Sequence, residues 1–209
     1  LYNQKYKYPP ETILSHSFFV QKPEEFYDFY RDKMIYTEAK PNKAHYALAE
    51  LEKQGKLKAV ITQNIDGLHQ AAGSKSVYEL HGTIMKNYCT RCGREYPLST
   101  IIESKGIPRC QVKDETGGVC NGIIKPKIAL YEEGLDDNVV SGAIKHIRNA
   151  DMLIIGGTSL TVYPAAGLIR YFSGRHIVLI NKAPTSSDSM ADLIIREPIG
   201  ETLGVIVCE

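Results

Sequence analysis

The sequence has no excess of charge of either sign: its 209 residues include 25 basic and 24 acidic ones. Proteins that bind nucleic acid through its phosphates need clustered lysine and arginine, so we expect no nucleic-acid partner. No run of about 18 apolar residues is present, which excludes a membrane-spanning helix, and the first residues lack the apolar centre of a signal peptide. These absences predict a cytoplasmic protein with no membrane partner.

Cysteine is scarce and its count is odd. Four of the five cysteines, Cys89, Cys92, Cys110 and Cys120, are spaced as pairs, and the fifth is Cys208. Disulfides are rare inside cells, so paired spacing with an odd count favours a metal. We predict a zinc site with these four thiolates as ligands, structural because no coordination position stays open. The nine residues between the last two ligands must then fold back. Free or disulfide-bonded cysteines are the alternative.

Apolar periodicity predicts an α/β protein. Residues 9–56 have apolar side chains at helical spacing, with prolines at helix starts. Strand-like runs follow at residues 59–61, 77–80, 152–155, 176–180 and 192–195. Helical patterns lie between several of them, at residues 139–149 and 165–172. Strands that alternate with helices predict a doubly wound, Rossmann-like parallel sheet.

Residues 85–125 differ from the rest, because they are rich in cysteine, glycine and proline and have little periodicity. Such a segment needs a metal to hold it together. We therefore predict a helical segment at residues 1–56, part of which joins a small domain. A Rossmann-like domain takes residues 57–84 and 126–209, and a zinc module takes residues 85–125.

The most informative stretch follows the first strand-like run. Gln63, Asn64 and Asp66 come directly after it, and His81 follows the second run. Polar side chains where a buried strand ends are typical of a ligand pocket. Amides can donate and accept, and an ionised aspartate accepts from an amide or a ribose hydroxyl. Histidine titrates near neutral pH, so His81 is a candidate for proton transfer. Taken alone, the first group is explained equally well by a capped turn.

A group of small residues follows the third strand-like run. Gly157, Thr158 and Ser159 offer backbone N–H groups and hydroxyls that can hold a phosphate or a ribose. Taken alone, this group is more simply explained as a turn at the end of a strand.

Two of these motifs, Gln63-Asn64-Ile65-Asp66 and Leu80-His81-Gly82, resemble signatures of the sirtuins, the NAD-dependent protein lysine deacylases. The resemblance continues in the family's order through the four cysteines and three later motifs. Those motifs are Gly157-Thr158-Ser159-Leu160, Val162-Tyr163-Pro164-Ala165-Ala166 and Ile180-Asn181. It therefore covers nearly the whole chain.

The resemblance implies that NAD is a co-substrate, bound by the Rossmann-like domain, and that zinc is structural. The residues that would bind NAD are Gln63, Asn64, Ile65, Asp66, Gly157, Thr158, Ser159 and Asn181, the last against the adenosine half. The carbonyl oxygen of an acyl-lysine attacks C1′ of the nicotinamide ribose, nicotinamide leaves, and His81 acts as general base through the ribose hydroxyls. The acyl group ends on ADP-ribose, and the lysine is freed.

The resemblance also implies an acyl-lysine protein or peptide as substrate, bound by Val162, Tyr163, Pro164 and Glu133. The chain departs from the family here. The family commonly has an aromatic residue, glycine and glutamate, whereas this chain has Glu132 in place of the glycine.

A Gly-Ala-Gly-x-Ser turn normally opens the family's sequence and cradles the NAD pyrophosphate, but none occurs in these 209 residues. We therefore expect this chain alone to be an incomplete enzyme. Two alternatives stay open: a non-catalytic, zinc-stapled fragment that binds a peptide or partner, and a mono-ADP-ribosyltransferase. No Gly-x-Gly-x-x-Gly follows a strand, which argues against a dehydrogenase.

Overall fold

The chain divides into two compact units. Unit 1 comprises Leu1–Glu38, Asn64–Gly67 and His81–Leu135, and unit 2 comprises Ala39–Gln63, Leu68–Leu80 and Asp136–Glu209. The computed structural model describes residues 5–113 and 117–206, so Cys208 lies outside the described residues.

The elements are as follows in chain order. The α-helices are α1 (Pro10–Ile13), α2 (His16–Gln21), α3 (Pro23–Lys33), α4 (Lys43–Lys53), α5 (Leu68–Ala71), α6 (Leu98–Glu103), α7 (Asp137–Asn149) and α8 (Ile199–Ile206). The strands are β1 (Val60–Thr62), β2 (Val77–Glu79), β3 (Gly82–Cys89), β4 (Glu95–Pro97), β5 (Ile124–Ile128), β6 (Met152–Gly156), β7 (His176–Ile180) and β8 (Leu193–Ile195). Two 3₁₀ helices span Ala165–Tyr171 and Asp188–Met190.

Helix α3 supplies much of the core of unit 1. Pro23 and two glutamates occupy its first turn and two basic residues its last, which suits the helix dipole. Its buried face carries four aromatic side chains that are at most 1% exposed: Phe26, Tyr27, Phe29 and Tyr30. The Tyr27 hydroxyl donates to the carbonyl of Ile124 at 2.6 Å. The helix is thereby joined to β5, the strand that leads out of the cysteine-rich segment.

The sheet of unit 1 is antiparallel, in the order β4-β3-β5. Strand β3 pairs with β5 from Gly82 opposite Ile128 to Cys89 opposite Ile124. Residues 126–128 are therefore part of the sheet that carries Cys89. The predicted division placed residues 126–135 in the Rossmann-like domain, whereas this pairing places them in unit 1.

Unit 2 contains two parallel sheets, β1-β2 and β6-β7-β8. Helix α7 precedes β6, and the first 3₁₀ helix lies between β6 and β7, so strands and helices alternate as predicted. The α/β class is confirmed. The run at residues 165–172, predicted as a helix, forms a 3₁₀ helix over Ala165–Tyr171.

Helix α4 begins at a capping box. The side chain of Asn42 accepts from the backbone N–H groups of Ala44 and His45, and the His45 ring accepts from the N–H of Asn42. Ala44 and Ala47 are buried in one cluster with Leu203 of α8. Residues 39–56 therefore belong to unit 2. The prediction placed only a part of the helical segment of residues 1–56 in the small domain.

Over the described ranges, no helix combines the length and the apolar character that crossing a membrane would require.

Candidate active site and metal centre

The segment after β1 lies against the start of β3 in unit 1. The carbonyl of Ile65 accepts from the backbone N–H of Ile84 at 3.0 Å, and the half-buried Ile65 side chain packs on the core cluster that contains Ile84. Gly67 has a φ of +73°, a conformation that glycine adopts without strain. The predicted site residues Asn64, Ile65 and Asp66 are thus anchored beside β3.

The backbone around His81 is held by β5. The His81 carbonyl accepts from the N–H of Ala129 at 2.9 Å. The next residue, Gly82, has a φ of +76°, and a Cβ there would overlap the carbonyl oxygen of Lys127. Only glycine fits this position, which explains the glycine of the Leu-His-Gly motif. His81 precedes the strand against which Ile65 is bonded, and the structure thereby brings His81 and residues 64–66 into one unit.

A cavity of about 570 Å³ opens at the carboxyl ends of β6 and β7 in unit 2, where parallel α/β sheets bind ligands. Two predicted NAD-site residues, Gly157 and Asn181, line it. Gly157 donates its N–H to the carbonyl of Ile180 at 3.1 Å, and the Asn181 side chain donates to the carbonyl of Ala183 at 2.8 Å. The other lining residues are Asn42, Lys43, Ile180, Lys182, Glu197, Pro198, Ile199, Gly200 and Glu201.

Most of these other lining residues were missed by reasoning from the sequence. Asn42 caps α4, which begins at Lys43, and residues 197–201 span the start of α8. The sequence does signal two helix starts there, an asparagine cap and a proline before an apolar run. It does not signal that the two starts meet at one cavity.

The remaining predicted residues of unit 2 lie around the turn after β6. The Thr158 hydroxyl accepts from the N–H of Leu160 at 3.1 Å, and the Ser159 hydroxyl lies 2.8 Å from that of Thr161. Tyr163 is 74% exposed. Val162 and Pro164 are also exposed, and Gln63 follows the end of β1. None of these predicted residues lines the 570 Å³ cavity.

The four predicted zinc ligands come together in unit 1. Their sulfur atoms all lie within 4.8 Å of one another. The Cys89 and Cys120 sulfurs are 3.6 Å apart, and those of Cys92 and Cys110 are 3.7 Å apart. Four thiolates at about 2.3 Å from a tetrahedral zinc have sulfurs about 3.8 Å apart. The donor set and its spacing therefore fit a zinc ion.

The first pair of cysteines lies on a tight turn that follows β3. The Cys89 sulfur accepts from the backbone N–H groups of Arg91 and Cys92, both at 3.4 Å. Gly93 closes the turn with a φ of +73° and donates its N–H to the Cys89 carbonyl at 2.9 Å. Backbone donors directed at a thiolate favour its charged form, which is the form that binds metal.

The second pair of cysteines lies on an antiparallel hairpin. Cys110 donates its N–H to the carbonyl of Gly122 at 2.8 Å, and Cys120 donates to the carbonyl of Val112 at 2.8 Å. The nine-residue loop between them therefore folds back, as predicted, although residues 114–116 in it lie outside the described ranges. The Tyr96 hydroxyl donates to the Cys110 sulfur at 3.0 Å. This bond raises the pKa of Tyr96 to about 12, so the hydroxyl stays a donor.

Glu133, predicted to bind substrate, has its carboxylate occupied within unit 1. One oxygen accepts from the Lys125 ammonium at 3.0 Å and the Leu130 N–H at 2.9 Å, and the other lies 2.8 Å from Nδ1 of His16. Burial acts to raise the pKa of Glu133, but these three bonds lower it below its ordinary value. Because Lys125 is almost fully buried, the pair fixes the chain around residues 130–133.

Parallel strands with a cavity at their carboxyl ends are typical of nucleotide-binding α/β proteins, and the cysteine cluster has the donor set and spacing of a structural zinc site. The model of the Sir2 family matches residues 1–164. The chain belongs to the Sir2 family.

Two bacterial relatives and one solved structure illustrate the similarity. An NAD-dependent protein deacetylase of Clostridium acetobutylicum is 55% identical over 99% of this chain and 83% of its own length. One from Clostridium perfringens is 57% identical with the same coverage. The structure of Sir2 bound to acetylated peptide matches with a TM-score of 0.85 and 38% identity, over 96% of this chain and 84% of that chain.

Proposed function

We propose that His81 is the general base of NAD-dependent protein deacetylation. The observation that carries the assignment is the backbone geometry of unit 1. The bond between Ile65 and Ile84 holds residues 64–66 beside β3, and the bond between His81 and Ala129 holds His81 where β3 begins. A titratable side chain and a group of amide and carboxylate side chains then serve one reaction centre.

NAD supplies the electrophilic ribose carbon and receives the acyl group, so that acyl-lysine, NAD and water give lysine, nicotinamide and O-acyl-ADP-ribose. An imidazole nitrogen of His81 takes a proton from a ribose hydroxyl. Asp66 accepts from the N–H of the nicotinamide amide, Gln63 and Asn64 supply amide groups, and the Ile65 side chain excludes water.

The adenosine half of NAD occupies the cavity of unit 2, against Gly157 and Asn181. Thr158 and Ser159 shape the turn beside it. The cavity's place at the ends of parallel strands supports this assignment, and its volume of about 570 Å³ is within the range of cofactor sites. Unit 2 is then the NAD-binding domain, and unit 1 contains the zinc module.

Acyl-lysine peptide binds through exposed chain segments. Val162, Tyr163 and Pro164 form one, and their exposure leaves them accessible to a ligand. Residues 130–133 form the other, where Glu133 acts by holding the segment, because its carboxylate is already bonded to Lys125, Leu130 and His16.

Cys89, Cys92, Cys110 and Cys120 hold one zinc ion, which has a structural role. Thiolates arranged for metal, and not as disulfides, support a reducing, cytoplasmic location.

The test of the catalytic assignment is His81→Ala in the complete protein, with nicotinamide release from an acetylated peptide as the readout. Loss of a general base lowers kcat by about 10²- to 10⁴-fold, while the thermal unfolding temperature should stay unchanged. The matched control is His176→Ala, at an exposed histidine of β7. Activity of His81→Ala within threefold of the control would reject the assignment.

A further inference from the structure

Glu132 adopts a backbone conformation that glutamate rarely takes. Its φ is +74°, in the left-handed region, where a side chain beyond glycine is strained. Such a conformation persists only where surrounding contacts hold it. The contacts made by the Glu132 side chain therefore indicate what maintains the conformation.

The Glu132 carboxylate bonds to the first turn of α2. One oxygen accepts from the Ser17 backbone N–H at 2.9 Å and from the Ser17 hydroxyl at 2.6 Å. These two bonds lower the pKa of Glu132, the hydroxyl bond having the larger effect. The carboxylate is thus ionised at neutral pH, and it satisfies an N–H that the helix itself leaves unpaired.

The main chain beside Glu132 is joined to the same turn. Tyr131 donates its N–H to the carbonyl of Leu14 at 3.0 Å, and its carbonyl accepts from the N–H of His16 at 2.9 Å. The Tyr131 side chain is nevertheless 48% exposed. The segment is therefore held from one side through its backbone and through Glu132, and an aromatic surface is left uncovered.

We propose that Glu132 and Ser17 form a latch that fixes residues 131–133 in the conformation that binds the acyl-lysine peptide, so that Glu132 is a positioning residue. This inference rests on the proposed role of residues 130–133 in peptide binding. The carboxylate holds the backbone in a conformation that glycine would adopt without strain, and the latch makes that conformation rigid. Fixing a loop before binding reduces the ordering cost of binding.

The test is a series of substitutions at Glu132, assayed by nicotinamide release with an acetylated peptide. Glu132→Ala and Glu132→Gly both remove the bonds to Ser17, and each should raise the peptide KM by about 3- to 10-fold, with kcat and the KM for NAD within twofold. Glu132→Gln keeps an acceptor oxygen and should restore the peptide KM to within twofold of the wild-type value. Glu24→Ala, at an exposed acid of α3, is the control.

Two results would overturn the latch. One is a peptide KM in Glu132→Ala within twofold of the control, and the other is a peptide KM in Glu132→Gln as high as that in Glu132→Ala. If the peptide KM rose in Glu132→Ala but not in Glu132→Gly, backbone strain and not loss of the latch would be the cause.

A second measurement separates the latch from the proposed function. Hydrogen exchange of the Ser17 amide should be about tenfold faster in Glu132→Ala than in the wild type, because its acceptor is lost. Absence of nicotinamide release from the complete wild-type protein would reject the proposed function, and the exchange rates would still decide whether the latch exists. Equal rates in both proteins would refute it.

Discussion

The two units are stabilised in different ways. In unit 1 the bulkiest fully buried side chains are the four aromatic ones of α3, and a cluster of four cysteines organises the hairpins beyond it. In unit 2 they are aliphatic: Leu179, Ile180 and Leu203. A metal site fails as a whole when one ligand is lost, whereas apolar burial is lost one side chain at a time. We therefore expect single substitutions to damage unit 1 more severely than unit 2.

The largest effect is expected at the metal centre. Cys110→Ser should abolish zinc binding and unfold the zinc module, because metal binding supplies folding free energy of about 10–16 kcal/mol in small zinc modules. Metal analysis should fall from one zinc per chain to nearly none, with aggregation on purification. The control is Cys208→Ser, which should keep its zinc. Stoichiometric zinc in a folded Cys110→Ser protein would show that this cysteine is not a ligand.

A matched pair of glycines tests how close packing differs between the units. Gly82 in unit 1 and Gly55 in unit 2 have φ values of +76° and +71°, but a Cβ would overlap Lys127 main chain at Gly82 and meet nothing within 4 Å at Gly55. Both alanine variants incur left-handed strain of about 1–2 kcal/mol. Gly82→Ala should lose roughly 1–3 kcal/mol more through the overlap, measured by urea unfolding. Equal losses of unfolding free energy in the two variants would mean that β5 shifts to accommodate the added methyl group.

Glu133 tests the contribution of a partly buried charge in unit 1. Its folded-state pKa lies below its ordinary value, so its ionised form stabilises the protein above the unfolded-state pKa of about 4.3. That stabilisation is lost as pH falls through the folded-state pKa. Glu133→Gln should be less stable than the wild type by roughly 1–3 kcal/mol at pH 7.

The difference between Glu133→Gln and the wild type should narrow below about pH 4. Urea unfolding of both proteins at matched pH values measures this, and zinc loss in acid affects both alike. Glu11→Gln, at an exposed acid of α1, serves as control. If the difference in unfolding free energy stayed constant from pH 7 to acid, the charge of Glu133 would not be its cause.

The smallest effect is expected in the cavity of unit 2. Asn181→Ala removes a side chain that lines the cavity and bonds to the Ala183 carbonyl. It should raise the KM for NAD by about 3- to 10-fold and leave the peptide KM unchanged. Asn138→Ala, at an exposed residue of α7, is the control. If the KM for the peptide rose while the KM for NAD did not, the proposed contact between Asn181 and NAD would be contradicted.

Much of the secondary structure could be predicted, because local patterns encode it. The five predicted strand-like runs correspond to β1, β2, β6, β7 and β8, and the prolines mark the starts of α1 and α3. The cysteine-rich segment was predicted less well. Apolar and polar residues do not alternate clearly along its strands β3 and β5. These strands depend on pairing with each other and on contact with α3.

Reasoning from the sequence singled out the contiguous motifs of the candidate site, but not the parts that the fold assembles. Residues 63–66 and His81 stand out in sequence, as do the paired cysteines. The contribution of Lys43 and Glu197 to the cavity of unit 2 could not be foreseen, because they are far apart in the chain and meet only when α4 packs on α8. The latch between Ser17 and Glu132 has the same origin, 115 residues apart in sequence.

The sequence by itself determined the α/β class, the family, the reaction implied by its motifs and the identity of the four thiolates. These follow from short-range patterns: side-chain period, turn residues and ligand spacing. The tertiary structure alone decided that residues 126–128 pair with the cysteine-bearing strand, that Glu133 holds a buried lysine, and that Glu132 bonds to α2. Each of these depends on contacts between distant segments, whose free energy exists only once the chain has folded.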